Sequence, residues 1–306
     1  HCQCRRQRQM CIRDRIYELQ MKNITFEKYQ GNGNDFVIID SRGNELYKNY
    51  KTNKIFDIKK ICNRQFGVGA DGVIFIEEPN EDNYAKMIIF NSDGSEAQMC
   101  GNGIRCLVEY LHVNDSMNNK NIEYKIETKA GLKIAKYIND EITVKMGVPI
   151  LECQNIPTTI EKKINSIPSH EFIEKDFNNM GYAVGMGNPH LIFFVKDIES
   201  IVLSRLGPIF EKNELFPEKT NVHFCQILNR DNIKVKVWER GAGPTLACGT
   251  GACAIHVAAY KLGLCNSQTI VTLPGGNLKI DWSKDDCEVM MTGNAKKVFS
   301  GSMLVN

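Results

Sequence analysis

The feature that most constrains the fold of this chain is an internal duplication. One stretch reads NSDGSEAQMCGNGIRC and a second, more than a hundred residues later, reads ERGAGPTLACGTGACA. Aligned on Cys100 and Cys248, both contain Cys-Gly-x-Gly, and a polar residue, Asn91 or Glu239, precedes each cysteine by nine positions. Each unit has the pattern of a strand, a glycine-rich turn, a cysteine and an apolar helix. The repeat predicts two copies of one α/β unit.

Periodicity places further elements around these two units. The apolar pattern after each cysteine predicts helices over 104–113 and 252–264, and another helix is expected over 55–65. The region from 147 onward carries several prolines and is expected to be a linker before the next strand. Strands are predicted at 84–91, 122–128, 131–137, 141–146 and 181–185.

The position of the two cysteines suggests acid–base chemistry. The first turn of a helix has unpaired N–H groups and the positive end of the helix dipole. Both favour a thiolate, so the sequence predicts a lowered pKa for Cys100 and Cys248. The same N–H groups can hold a carboxylate, and glycines let the backbone approach a ligand closely. Two such helix starts facing each other would provide two acid–base sulfurs and two anion-binding sites.

The composition excludes several classes of protein. Of 306 residues, 42% are hydrophobic and 24% charged, which is typical of a globular protein, and the length favours two domains. The net charge of +2 gives no indication of binding to nucleic acid or to a membrane surface. No apolar run is long enough for a transmembrane helix. The 12 cysteines lack paired Cys-x-x-Cys spacing, so no metal site is expected.

The first 20 residues differ in character from the rest of the chain. They are basic, lack the apolar core of a signal peptide, and contain RQMCIRDR, which resembles translated adapter sequence. We interpret 1–20 as a non-native or disordered extension, with Met21 as the natural start. A genuine basic tail is the alternative.

Seven motifs together resemble the diaminopimelate epimerase family, a cofactor-independent group of two-cysteine racemases and epimerases. In chain order they are GNGNDF (31–36), FGVGADG (66–72), FNSDGSEAQMCGNGIRC (90–106), GMGNPH (185–190), FPEKTNV (216–222), ERGAG (239–243) and ACGTGACA (247–254). The resemblance implies an α+β fold of two pseudo-symmetric domains, each a curved, mainly antiparallel, barrel-like sheet wrapped around a central helix. The expected domains are 21–146, to which 295–306 returns, and 147–294.

The resemblance also implies a reaction, the interconversion of LL- and meso-diaminopimelate in the synthesis of lysine and of the cell wall. Cys100 and Cys248 would be the two catalytic acid–base groups, one on each face of the α-carbon. His190 and Glu239 are expected to tune the thiols. The other histidines considered, His112, His170, His223 and His256, are expected to be structural or on the surface. The implied substrate-binding residues are Asn34, Asn91, Gly101, Asn102, Asn188, Asn221, Glu239, Arg240, Gly249 and Thr250.

The same resemblance implies no cofactor and no metal, and diaminopimelate as the small-molecule partner, with no nucleic acid or membrane. It favours a cytoplasmic enzyme and leaves a homodimer open. Two alternatives remain at this stage. Proline racemase-like enzymes also use two cysteines, but their first motif carries histidine where this chain has Asn102. A redox or metal-binding module would use the paired cysteines without catalysis.

Overall fold

The computed structural model describes residues 22–53, 57–115, 122–283 and 287–305. The expected extension at 1–20 lies outside these ranges. None of the helices within them is both long and apolar enough to cross a membrane. Eight cysteines in these ranges are free thiols, namely Cys62, Cys100, Cys106, Cys153, Cys225, Cys248, Cys253 and Cys265.

The first half of the chain contains eight of the described strands. They are β1 Lys22–Gly31, β2 Asn34–Asp40, β3 Gly72–Glu77, β4 Ala85–Asn91, β5 Glu96–Ala97, β6 Ile122–Thr128, β7 Gly131–Ile138 and β8 Glu141–Lys145. Its helices are α1 Leu46–Asn53, α2 Ile58–Cys62 and α3 Gly101–Asn114.

The second half begins with a short 3-10 turn, Cys153–Asn155. Its strands are β9 Lys163–Ile164, β10 Ile167–Glu174, β11 Phe177–Gly185, β12 Pro189–Phe194, β13 Asn221–Asn229, β14 Asn232–Glu239, β15 Gly243–Pro244, β16 Gln268–Leu273, β17 Gly276–Asp281, β18 Met290–Gly293 and β19 Lys296–Val305. Its helices are α4 Leu203–Glu211 and α5 Gly249–Lys261.

Strand pairing repeats between the halves. Most pairs are antiparallel, but β2 runs parallel to β3, and β4 runs parallel to β6 on either side of α3. In the second half β12 runs parallel to β13, and β14 runs parallel to β16 on either side of α5. Strands β1–β8 therefore correspond in order to β11–β18. This is the mixed, sheet-dominated α+β fold with two pseudo-symmetric halves that the sequence predicted.

Each half wraps its sheet around one helix. Helix α3 contacts β1–β4, β7 and β8, and α5 contacts β11–β13 and β16–β18. All residues from Ala252 to Ala259 are buried, and all of them except His256 are apolar, as expected for an enclosed helix. The outer faces are also covered, in part by clusters centred on Phe75 in the first half and Phe210 in the second. Strands covered on both faces have continuous apolar runs such as Val73–Ile76.

Two pairings connect the ends of the halves. Strand β19 lies antiparallel to β1 along almost its whole length, with Ile24 opposite Met303. Strand β18 pairs with β8 and continues the sheet from one half into the other. These contacts support our proposal of one domain at 21–146 joined by 295–306, and a second at 147–294.

Three local predictions need correction. The helix expected over 55–65 is limited to Ile58–Cys62 among the described residues. The proline-containing linker is instead largely folded, because Ile167–Glu174 and Phe177–Gly185 form an antiparallel hairpin. Both central helices begin three residues earlier than predicted, at Gly101 and Gly249, because the glycine-rich segment is already helical.

Candidate active site

Cys100 stands at the start of the first central helix. It is the N-cap of α3, in extended backbone with φ −141° and ψ 121°. Its Sγ accepts a hydrogen bond from the Gly103 N–H at 3.5 Å, a role that an oxygen of Ser or Asp plays at most N-caps. The thiol also lies 3.8 Å from Asn34 Oδ1, to which it can donate.

Cys248 has the equivalent position in the second half. It is the N-cap of α5, with φ −127° and ψ 107°, and only 4% of its surface is exposed. Its Sγ lies 3.6 Å from Thr250 Oγ1. Glu239, at the end of β14, lies close enough for its charge to raise the pKa of the Cys248 thiol, and it accepts a hydrogen bond from Thr245 Oγ1 at 2.5 Å.

The two helix starts meet. Asn102 Nδ2 in α3 lies 3.4 Å from the carbonyl oxygen of Ala247, the residue before Cys248, and 3.2 Å from Asn34 Oδ1. A Cβ placed on Gly101 would lie 3.0 Å from Met291 Cε, and one placed on Gly249 would lie 3.1 Å from Met291 Sδ. Both first turns therefore pack against the same methionine side chain. The duplication has brought the two cysteine-capped ends to one place.

Burial controls the ionisation of both thiols and corrects the sequence prediction. Loss of water raises the pKa of Cys100 and raises that of Cys248 well above its ordinary value. The N–H groups of Gly103 and Gly251 lower these pKa values, as expected at a helix start, but burial outweighs them. The negative charge of Glu239 raises both thiol pKa values further. Without substrate, the site holds two neutral thiols.

The expected histidine lies in a buried chain of polar groups beside Cys248. His190 Nε2 is 2.9 Å from Asn188 Oδ1, and His190 Nδ1 is 2.9 Å from His223 Nε2. Both rings are fully buried. Burial lowers the pKa of His190 well below its ordinary value, and it lowers the pKa of His223 to about 3. Both imidazoles are therefore neutral at physiological pH.

The remaining predicted binding residues differ in how close they lie to this cluster. Asn221 is buried, donates to the Pro189 carbonyl at 2.9 Å, and accepts from the Arg240 N–H at 3.0 Å. Arg240 is exposed, yet its charge lowers the pKa of His190, so the guanidinium lies near the cluster. Asn91 is exposed and its side chain donates to Ser95 Oγ at 3.0 Å, which holds a turn. The binding role of Asn91 therefore has the least structural support.

Two residues in the cluster were not assigned a role from the sequence. His223 was expected to be structural, but the ligating atoms of His190, His223 and Cys248 lie within 4.8 Å of one another. Arg105 is fully buried beneath the two helix starts. Its Nη2 donates to Asn102 Oδ1 at 3.0 Å and to Asn32 Oδ1 at 2.8 Å. Strand alternation was a usable signal for His223, because it lies two residues after Asn221 on the same face of β13.

Comparison with known proteins accounts for this arrangement. A family model described as diaminopimelate epimerase matches residues 26–152 and 182–298. The diaminopimelate epimerase of Prochlorococcus marinus (strain NATL2A) is 51% identical over 285 residues, which cover 92% of this chain and 99% of that protein. The chain belongs to the diaminopimelate epimerase family. The resemblance seen in the seven motifs is thereby confirmed, and the family is a class of isomerases.

Diaminopimelate epimerases of other lineages are also similar. The chloroplastic diaminopimelate epimerase of Oryza sativa subsp. japonica is 43% identical over 289 residues, covering 90% of this chain and 79% of that protein. Among solved structures, a hydroxyproline epimerase from Agrobacterium vitis with bound trans-4-hydroxy-L-proline aligns with a TM-score of 0.65 and 11% identity, covering 92% of each chain. At that identity the likeness shows a shared fold alone.

Proposed function

We propose that this chain interconverts LL- and meso-diaminopimelate in the synthesis of lysine and peptidoglycan precursors. Membership of the diaminopimelate epimerase family supports the reaction. The observation that carries the mechanism is the meeting of two cysteine-capped helix starts at Met291. A single such helix start would provide one base on one face, whereas inversion is simplest with an acid–base group on each face.

In the proposed mechanism the two sulfurs exchange roles with the direction of reaction. One cysteine, as thiolate, removes the α-proton, and the opposite cysteine, as thiol, delivers its own proton to the other face of the same carbon. The first sulfur ends protonated and the second ends as thiolate, so protons and charge balance. We assign these roles to Cys100 and Cys248.

The carbanion character at the α-carbon needs electrostatic stabilisation, and no cofactor is part of this proposal. We propose that N–H groups at both helix starts, from Gly101, Asn102, Gly249 and Thr250, hold the α-carboxylate. Two helix dipoles then point their positive ends at the developing charge. Buried Arg105 adds a full positive charge directly behind Asn102.

Because burial keeps both thiols neutral, the base must form when substrate arrives. The α-ammonium group of diaminopimelate brings a positive charge into the site and stabilises a thiolate, and the proton of that thiol passes to solvent as the substrate binds. Glu239 has the opposite effect, since its charge raises both thiol pKa values. We propose that Glu239 binds the ammonium group and is thereby neutralised as a source of repulsion. His190 would tune Cys248 together with His223, to which it is hydrogen-bonded.

The rest of the substrate needs polar contacts on the rim of the site. We assign these contacts to side chains that surround the cluster, with Arg240 suited to a bidentate contact with the distal carboxylate. The assigned residues are Asn34, Asn91, Asn188, Asn221 and Arg240, in addition to Glu239 at the ammonium group. We further propose that the enzyme works in the cytoplasm, and we propose a homodimer, which light scattering would test.

Isotope exchange tests this function directly. Purified enzyme, kept anaerobic with no added metal or cofactor, should convert LL-diaminopimelate in deuterated water and place solvent deuterium at the inverted α-carbon. Cys100→Ala and Cys248→Ala should each abolish this conversion, whereas Cys153→Ala, which alters a partly exposed cysteine away from the cluster, should retain it. Full activity in either of the first two variants, or turnover of L-proline in place of diaminopimelate, would contradict the proposal.

A further inference from the structure

Three buried side chains that can bind a metal converge at the start of α5. Ligating atoms of His190, His223 and Cys248 lie within 4.8 Å of one another, and no more than 4% of any of these residues is exposed. Two imidazoles and one thiolate are a donor set that suits zinc. We propose that this cluster binds one Zn²⁺ ion through His190 Nδ1, His223 Nε2 and Cys248 Sγ, and that binding withdraws Cys248 from catalysis.

The hydrogen bonds define which nitrogens are free to bind. His190 Nε2 lies 2.9 Å from Asn188 Oδ1, which can only accept, so this nitrogen carries the proton. His190 Nδ1 then has a lone pair and accepts from His223 Nε2 at 2.9 Å. The proton of neutral His223 is thus on Nε2, and its buried Nδ1 is a lone pair that, within the described residues, has no hydrogen-bond partner. His223 Nδ1 can therefore receive a proton.

The distances between the three candidate ligand atoms are close to those that a tetrahedral zinc site requires. With Zn–N bonds of about 2.0–2.1 Å and a Zn–S bond of about 2.3 Å, tetrahedral geometry places two nitrogens about 3.3 Å apart and a nitrogen about 3.6 Å from sulfur. The two imidazole nitrogens, now 2.9 Å apart, need to separate slightly. The sulfur lies within 4.8 Å of one ring nitrogen of each histidine and needs to approach by about an ångström. This change would require rotation of the Cys248 side chain and a tilt of both imidazole rings, whose nitrogens now face each other across the hydrogen bond.

Part of the hydrogen bonding that would hold a metal-binding histidine in place already exists. Histidines that bind metals usually donate their other N–H to an oxygen, which fixes the tautomer and the ring orientation. His190 Nε2 already donates to Asn188 Oδ1 at 2.9 Å. Glu239 provides a negative charge near the Cys248 thiol, which offsets the net positive charge of a Zn²⁺–thiolate unit. A water molecule would complete the fourth position.

Binding requires a defined movement of protons. The S–H bond of Cys248 breaks and a Zn–S bond forms, and the thiol proton passes to solvent. The proton of His223 moves from Nε2 to its unpartnered Nδ1, so Nε2 can donate its lone pair to the metal. The hydrogen bond between His190 and His223 is lost. One proton is therefore released for each Zn²⁺ ion bound, with no change in oxidation state.

Spectroscopy on the full chain tests the site without reference to turnover. The protein is stripped with a chelator, kept reduced with a phosphine, and titrated with Co²⁺ as the probe. We expect one equivalent to give a sulfur-to-cobalt charge-transfer band, which Zn²⁺ displaces. His223→Gln and Cys248→Ser should each remove the band, whereas Cys100→Ser, the matched change at the other helix start, should leave it. Absence of the band, or its loss in Cys100→Ser, would overturn the assignment.

Because a buried variant can fail to fold, a second measurement uses the unaltered protein. X-ray absorption at the zinc edge of the one-to-one Zn²⁺ complex should show one sulfur and two imidazole nitrogens in the first shell. Two sulfurs would place the ion between the cysteines and overturn the proposal. Release of one proton for each Zn²⁺ ion, followed with a pH indicator, is the accompanying expectation, and release of none would contradict the coordination of a thiolate.

The effect on activity rests on the proposed function, and its failure can be told apart from failure of the site. Stoichiometric Zn²⁺ should abolish epimerisation of LL-diaminopimelate, and a chelator should restore it. If the metal-free protein shows no turnover while the charge-transfer band forms, the proposed reaction is wrong and the site stands. If turnover persists unchanged with the site fully occupied, Cys248 is not withdrawn and the inhibitory role is wrong.

Discussion

The pH dependence of stability can be worked out for one histidine away from the candidate site. His256 lies in α5 and is fully buried, and its nearest acceptor, the Trp282 carbonyl, is 3.5 Å away. Burial lowers the pKa of His256 from 6.5 to about 4. The unfolded chain therefore binds a proton at this residue at a higher pH than the folded chain does. Stability from this residue is complete above pH 6.5 and is lost as the pH falls toward 4.

Linkage gives the size of this effect. Between about pH 7.5 and about pH 5, protonation of His256 in the unfolded chain alone lowers the free energy of unfolding by about 2 kcal/mol. The change His256→Gln removes this titration. The variant will have its own baseline stability, so the informative quantity is the difference between the two pH values within each protein.

Urea unfolding of chelator-treated protein at the two pH values measures this difference. The unaltered chain should lose about 2 kcal/mol more than His256→Gln on acidification. His170→Gln, a change at an exposed histidine of β10, is the control and should follow the unaltered chain. If the unaltered chain and His256→Gln lose the same free energy within about 0.5 kcal/mol, burial is not what controls the ionisation of His256.

Three further outcomes are expected. Glu239→Gln removes a charge that raises both thiol pKa values, so alkylation of the two cysteines by iodoacetamide at neutral pH should accelerate, and an unchanged rate would refute this. Gly251→Ala puts a Cβ 2.4 Å from the buried ring of His223, whereas the corresponding change Gly103→Ala puts a Cβ 3.2 Å from its nearest atom. Only Gly251→Ala should therefore lower the free energy of unfolding in urea by about 1–3 kcal/mol. Arg105→Met removes a charge-assisted hydrogen bond to Asn102, and turnover should fall at least about ten-fold with the fold retained on circular dichroism.

Much of the fold followed from local patterns, and the failures have local causes. Of the hairpin of β10 and β11 only 181–185 was predicted, because the second strand begins with Asn178 and Asn179 and contains Gly181, which are unfavourable in strands. A Cβ on Gly181 would lie 2.6 Å from the ring of Phe172 and 2.8 Å from Leu191. Glycine is therefore needed there because large neighbours fill the space, and those neighbours are known only once the sheet has formed.

The first residues of the two central helices fell outside the predicted ranges for a related reason. Glycine weakens a helix in general, so the apolar helical pattern was recognised only from Ile104 and Ala252, although the cysteines were correctly expected at the helix starts. In the structure Gly101 and Gly249 face Met291 at close distance, and the cysteines cap the helices with extended backbone. The duplication predicted that the two units would be equivalent. The distance at which they meet depends on contacts across the whole fold.

For the two thiols, the local argument from the helix start gave the correct sign for one contribution to the pKa shift. It gave the wrong sign for the total shift. The N–H groups at each helix start lower the thiol pKa values, as the sequence predicted, but burial of the thiols removes water, and this effect is larger. A thiolate that stayed ionised without substrate would hold water or be repelled by the charge of Glu239. Two neutral thiols, in contrast, can admit a zwitterionic substrate. Since the helix starts already favour the thiolate, the positive charge of the substrate needs to supply only the remaining difference. In the mechanism that we propose, ionisation coupled to binding in this way restricts the reactive base to the moment when the α-carbon lies between the sulfurs.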